Sequence, residues 1–182
     1  MLLVWLIVSH LPRWGSARIT PTATVLQEVQ ALAQLVTVQY VMEKVIPLEQ
    51  PPEGILGIVG SIADNRLIIV AHGIVKAGVN LEELKPSDIQ ASGTKIVVKL
   101  PPMRVFDTYL DDKRTMVMER TTGMFRNFDK DLEQNARVQA VQDINRAARE
   151  SGILKDADKQ ARVQLTAIFK MAGYSEVQFK EP

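Results

Sequence analysis

Across residues 66–102 (RLIIVAHGIVKAGVNLEELKPSDIQASGTKIVVKLPP) apolar and polar positions alternate between turn residues, a pattern that predicts the centre of a β-sheet. Leu67, Ile68, Ile69 and Val70 form a continuous run of the kind shown by a strand buried on both faces. The period loosens through Ile74, Val75, Ala77 and Val79, interrupted by Gly73 and Gly78. A glycine inside a strand marks a bulge or a close backbone approach, so one long bent strand, or two strands in line, is predicted. Asn80 is placed to cap a single helical turn over LEEL, with Glu82 and Glu83 near its positive end and Lys85 and Pro86 stopping it. Residues 88–91 and 94–100 read as a hairpin closed near Ser92 and Gly93, with Ile96, Val98 and Leu100 on one face and Pro101 and Pro102 ending the ladder.

Upstream, Thr22 or Thr24 caps a predicted helix over 25–35, on which Val25, Val29, Leu32 and Leu35 or Val36 share a face. At Thr37 the period becomes two: Val38, Tyr40 and Met42 alternate with Thr37, Gln39 and Glu43, and the pattern runs through Ile46 to Leu48 as a first strand. Downstream, Val105, Phe106, Tyr109 and Leu110 precede a charged turn, DDKR, and Met116, Val117 and Met118 form a further strand. From Asp131, residues Leu132, Ala136, Val141, Ile144 and Ala148 lie near one helical stripe that ends at Gly152 with Ile153 and Leu154 behind it. A second helix is predicted over 155–172, with Ala157, Ala161, Leu165, Ile168 and Phe169 inward, and Gly173 with Tyr174 repeats the ending. Val177 and Phe179 then suggest a short last strand. The two helices are expected to form a hairpin packed on the sheet or on a partner.

Two stretches break the globular pattern. Residues 1–8, MLLVWLIV, carry no charge and are almost wholly apolar, about half the roughly 20 residues a membrane-crossing helix needs. They read either as the end of a membrane helix or as a short apolar arm. Trp5 and Trp14 suit an interfacial belt, and Arg13 and Arg18 suit headgroups. In residues 49–65, EQPPEGILGIVGSIADN, Gly54, Gly57 and Gly60 alternate with Ile55, Leu56, Ile58 and Val59, and no charge occurs from 55 to 63. The spacing is not that of a dinucleotide-binding loop. If exposed, such a segment is a contact surface for lipid or another subunit; the alternative is a core loop or strand. The candidate membrane or partner contacts are therefore Leu3, Trp5, Leu6, Ile55, Leu56, Ile58 and Val59.

Composition narrows the chemistry. The 182 residues suffice for one domain with a real core, 46% of them hydrophobic and 24% charged. A formal net charge of +1 gives no global attraction to nucleic acid. Arg137, Arg146 and Arg149 are balanced by Glu133, Asp143 and Glu150, so no basic stripe forms and no nucleic-acid partner is predicted. Without cysteine there is no disulfide, thiol catalyst or thiolate metal site. Asp107, Asp111 and Asp112 raise the question of paired-acid catalysis, but nothing in their context predicts the separated pKa values it needs, and a solvated turn is the better reading. His72 lacks a sequence-evident orienting partner and reads as structural. No catalytic residue, cofactor or metal site is assigned.

HGIVKAGVNLEEL, DIQASGTKIVVKLPP, ARESGIL and MAGYSEVQF together resemble the family termed domain of unknown function 4230, over residues 35–179. The resemblance implies a membrane-anchored bacterial domain without an assigned activity or catalytic residues to carry over. Members begin with a full membrane helix, from which the short MLLVWLIV departs. Strands followed by alanine-rich helices beside an anchor are also similar, in architecture alone, to the band-seven, stomatin-like membrane scaffolds. The expected fold class is α+β: a mainly antiparallel sheet of five to six strands, an N-terminal helix and a C-terminal helical hairpin. Residues 1–21 are assigned to an anchor remnant and linker, and 22–182 to a single domain. The expected function is a non-enzymatic interaction or scaffold module of the bacterial envelope. It is held at the cell membrane through its N-terminus and partnered by itself or by a membrane protein. The domain is expected outside the cytoplasm, although Arg13 and Arg18 taken alone favour the cytoplasmic side. A small apolar ligand held near Met116, Met118, Met124 and Phe125 is the alternative, and a hydrolase using Asp107, Asp111 or Glu119 ranks last.

Overall fold

A computed structural model describes residues 22–50, 65–122 and 130–180. The elements run α1 (Thr22–Gln30), β1 (Gln34–Gln50), β2 (Asn65–Asn80), β3 (Ile89–Ser92), β4 (Lys95–Lys99), β5 (Arg104–Leu110), β6 (Met116–Thr121), α2 (Lys130–Glu150), α3 (Ile153–Met171) and β7 (Glu176–Lys180). The α+β class holds, and antiparallel pairing dominates. The strands divide between two sheets. In the first, β2 pairs with β1 along its whole length and, on its other edge, with β5 and β6 in line. In the second, the β3–β4 hairpin takes β7 parallel to β4. The break between sheets has local causes. Asn80 accepts a hydrogen bond from the Glu82 amide at 3.2 Å and opens a 3-10 turn, Leu81–Glu83. Pro101 and Pro102, between β4 and β5, have no amide to give a ladder.

β2 is the single long strand that its pattern allowed. Its two glycines mark two different close approaches. Gly73 lies beneath Ile144 of α2, and Gly78 lies against the carbonyl of Leu35, where the β1–β2 register shifts between Val36 and Val38. Thr37, at that bulge, donates its hydroxyl to the Ala157 carbonyl of α3 at 2.9 Å. The first helix stops at Gln30, short of the predicted 35. Residues 31–33 turn out of it with Ala33 at φ 50°, and the Ala33 carbonyl accepts the Leu81 amide at 2.8 Å. Leu35 is thereby drawn into β1 opposite Val79. Leu26 and Val29 are buried, whereas Leu32, beyond the last turn, is exposed.

Two cores result. The first joins Leu26 and Val29 of α1, Ile96 and Val98 of β4, Leu165 and Phe169 of α3, and Tyr174. The second packs the inner face of β2 (Leu67, Ile69, Ala71, Val75 and Ala77) against Leu132, Ala136, Ala140, Ile144 and Ala148 of α2 and Ala157 of α3. Ser151 and Gly152, at φ 89°, separate the helices, which touch the sheets more than each other. α3 crosses from one core to the other. Tyr40 of β1 donates its phenolic hydrogen to Asp156, at its start, at 2.6 Å.

A methyl group on Gly78 would lie 1.9 Å from the Leu35 carbonyl oxygen, whereas on Gly73 it would lie 2.5 Å from the terminal methyl of Ile144. Gly78→Ala is therefore expected to lower the urea midpoint more than Gly73→Ala. The latter should cost about 1–3 kcal/mol by overpacking and recover in part with Ile144→Val. Equal losses, or no recovery, would contradict this packing. The hydrogen bond to Asp156, then burial and the Asp156 charge, raise the Tyr40 pKa above 10.0, and burial raises that of Tyr174. A raised tyrosine pKa favours the neutral form in the fold, so this stabilisation is complete below about pH 10 and is lost as pH climbs through the folded values. Denaturation between pH 9 and 12 should show this decline, and Tyr40→Phe should flatten it; an unchanged slope would remove the Asp156 contact from the account.

Candidate functional site

Because side chains opposite each other across a ladder share a face, the register of the first sheet defines a second surface, turned away from the helices. Two apolar rows cross it: Val41–Ile74–Tyr109 and Val45–Val70–Met116. None of these six belongs to either core. Val41 is 58% exposed, Val45 57% and Met116 53%. Between the rows, His72 Nε2 lies 3.2 Å from Glu43 Oε2 on the neighbouring strand. At one end the Lys76 ammonium sits 5.4 Å from the Tyr109 ring centre, opposite Asp107. At the other, Arg66 pairs with Glu49 at 3.3 Å.

The edge formed by β5 and β6 is interrupted opposite His72. There residues 111–115 leave the ladder and rejoin it. The Asp111 amide donates to the His72 carbonyl at 2.7 Å, and the His72 amide donates to the Thr115 hydroxyl at 3.2 Å. Thr115, 8% exposed, thus supplies with a side chain the acceptor that a strand would supply with its backbone. Asp111 organises the turn, accepting from the Lys113 amide through its carboxylate at 3.1 Å and from the Thr115 amide through its carbonyl at 2.8 Å. Asp112 pairs with Arg137 of α2 at 2.9 Å. Asp111 is thus committed to turn geometry and Asp112 to a cation, while Asp107 stands opposite Lys76 in the ladder. Among the described residues no three His, Cys, Asp or Glu side chains gather as metal ligands.

Two clefts flank the Leu100–Pro101–Pro102 connection between the sheets. One, of about 650 Å³, is open and lined by Glu82, Glu83, Lys85, Asp88 and Lys99 besides the connection itself. The other, of about 360 Å³, has an apolar wall of Met103 and Leu154, with Asp158, Arg162 and Lys180 at its rim. Those charges are already engaged: Arg162 with Asp158 at 2.8 Å and over the Phe179 ring at 5.5 Å, Lys180 with Gln90 at 3.2 Å.

The predicted contact residues Leu3, Trp5, Leu6, Ile55, Leu56, Ile58 and Val59 lie outside the described residues, as do Met124 and Phe125. Among the described residues no helix is long and apolar enough to cross a membrane. Met116 and Met118 stand exposed on β6 instead of lining a cavity between sheet and helices, because Met116 lies opposite Val70 on the face away from the helices and Met118 falls at the bulge between the Val117 and Glu119 pairings. The run 67–70, expected to be buried on both faces, has only Leu67 and Ile69 in the core; Ile68 and Val70 look outward. Sequence reasoning missed the outer face, although Val36, Val41 and Val45 in the polar phase of β1 were its signal.

Replacing Thr115 by Val would leave the His72 amide facing a methyl group. A buried donor without an acceptor costs about 1–3 kcal/mol. Thr115→Val should therefore lower stability by that order and speed exchange of the His72 amide, while Thr115→Ser keeps both near wild type. Similar behaviour of the two variants would deny the hydroxyl this place in the ladder.

Residues 27–179 match the family described as protein of unknown function (DUF4230), and the chain belongs to that family. No curated protein and no solved structure matches it.

Proposed function

We propose that this member of the DUF4230 family is a non-enzymatic interaction module of the bacterial cell envelope, held at a membrane through the residues before Thr22 and lying outside the cytoplasm. The observation that carries the reading is the apolar outer face of the first sheet, whose helices all pack on the opposite side. Exposed apolar side chains gathered on one face, here Val41 and Tyr109 on one side of the Glu43–His72 pair and Val45 and Met116 on the other, are a mark of interaction surfaces. The geometry adds a direction. α1 packs beside the Leu81–Glu83 turn, at the end of β2 away from Asn65. The segment 51–64, with Ile55, Leu56, Ile58 and Val59, leaves the ladder at Gln50 and re-enters at Asn65, at the other end. Seventeen residues of β1 separate the two ends by roughly 50 Å. The chain thus enters the described domain at one end of the ladder and leaves β1 for the 51–64 connection at the other.

A second reading, a domain for a small apolar ligand, has one observation in its favour: the 360 Å³ cleft beside Pro102 and Met103, within the size range of ligand sites. A native mass spectrum carrying a stoichiometric small molecule, lost on Met103→Trp, would prefer it. A hydrolase drawing on Asp107, Asp111 or Glu119 stands behind both.

The tether predicts a localisation. In cell fractionation the chain should remain with membranes through a carbonate wash, and Leu3→Glu with Leu6→Glu should release it. Protease added to spheroplasts should degrade the domain. Recovery of the wild-type chain in the soluble fraction would sink the membrane reading, and protection from protease would reverse the side.

A further inference from the structure

We propose that the cleft of about 360 Å³ beside Pro102 and Met103 is a binding site for a small monocarboxylate, a compact apolar body carrying one carboxylate, with Arg162 as its anchor and Lys180 as a second cation at the rim. The inference rests on the small-ligand reading of that cleft, to which it adds the chemical class, and it is independent of the tether and of the outer face of the first sheet.

The cleft lies on the seam between the two cores. Met103 packs against both, Leu154 against the core of the first sheet, and Leu100, 7% exposed, belongs to that of the second. The chain builds this seam from two sides. β4 ends at Lys99, and Pro101 and Pro102, with no amide to extend a ladder, carry the chain across to β5. From the other side, Leu154, Asp158 and Arg162 follow one another at four-residue spacing along α3, on the stripe beside the buried Ala157 and Ala161. An apolar body seated here rests on Leu100, Met103 and Leu154. The volume is near the lower end of the range for ligand sites, which suits one compact body and not a two-chain lipid.

The rim selects an anion. Its charged groups are two cations, Arg162 and Lys180, and one carboxylate, Asp158. Asp158 engages Arg162 through the Nε hydrogen, at 2.8 Å, and the guanidinium carbon lies 5.5 Å from the centre of the Phe179 ring. A guanidinium carries five N–H groups. The two terminal nitrogens, with four of them, make no hydrogen bond among the described residues. Asp158 and Phe179 thus hold the group in place and leave open the edge between its terminal nitrogens, which a carboxylate matches by accepting two parallel hydrogen bonds. The Arg162 side chain is 26% exposed, so such a pair is partly shielded from salt. Lys180 is under-used in the same way. At the start of the parallel β4–β7 pair Lys95 meets Glu176 at 2.9 Å, whereas at its end Lys180 stands opposite Lys99, donates to neutral Gln90 at 3.2 Å and has no carboxylate partner among the described residues. Glu82, Glu83 and Asp88 lie in the other cleft with Lys85 and Lys99, where Arg104 takes Glu83 and the Lys85 amide takes Asp88.

The probe is cyclohexanecarboxylate, with its uncharged carboxamide as the control. In equilibrium dialysis against the detergent-extracted full-length protein, one carboxylate should bind per chain, and the carboxamide at least about tenfold more weakly for want of the charge-assisted pair. Arg162→Lys, which keeps the charge and removes the fork, should weaken the carboxylate by a similar factor, and Lys180→Gln by about threefold, both leaving the carboxamide unchanged. Met103→Trp should abolish binding of either probe. If Arg162→Lys fails to fold, Lys180→Gln at the exposed rim and the carboxamide comparison still decide. Equal binding of the two probes, lost on Met103→Trp, would overturn the proposal and leave the small-apolar-ligand reading standing. Carboxylate binding that survives Met103→Trp, or that Arg162→Lys leaves unchanged, would put the anion elsewhere and overturn it. Binding of neither probe would overturn it as well, and the native mass spectrum then decides the small-ligand reading by itself.

Discussion

The fit of Ile144 over Gly73 is the contact on which the arrangement of the chain depends. The inner face of β2 is cut low at its middle by Ala71, Gly73 and Ala77, and α2 meets it with Ala136, Ala140 and Ala148 around the single large knob of Ile144. Small residues on both sides let helix and sheet approach closely, and interiors packed at crystal-like density tolerate little change in that spacing. Once α2 is seated, Gly152 turns the chain into α3, which enters the same core at Ala157 and leaves it for the other core at Ala161, Leu165 and Phe169. The far end of α3 then delivers β7 to the free edge of β4. One close approach in the first sheet thus sets the position of the last strand in the second.

The same seating explains why the other face is bare. α2 and the start of α3 spend their apolar stripes on the inner side of the first sheet, while α1 and the rest of α3 belong to the core of the second sheet. The surface links between α2 and the broken edge, Arg120 with Glu133 and Arg137 with Asp112, hold orientation more than stability, since exposed pairs of this kind contribute about 0–1 kcal/mol each. Asn145 adds a hydrogen bond to Thr108 of β5 at 2.7 Å. At the 111–115 break Ala71 and His72 have no strand partner on that edge, and the Thr115 hydroxyl takes the His72 amide in its place.

Much of this was legible in the sequence where local chemistry acts alone. Asn80 as a cap, the hairpin around Ser92 and Gly93, the glycine at 152 and the alternation of the last strand all follow from one residue's conformational preference. The family was legible from the glycine and LPP spacing. Legibility failed where a distant partner decides. Leu35 continues the helical period of α1, yet its place opposite Val79 is fixed by the Ala33–Leu81 hydrogen bond across the chain. Asn80 and Pro101–Pro102 end the ladders locally, but the makeup of the second sheet depends on β7 arriving at β4 from the far end of the chain. The uncovered face was hidden by a sound rule misapplied: 67–70 is apolar throughout, which suits a strand buried twice, but the second cover is missing among the described residues.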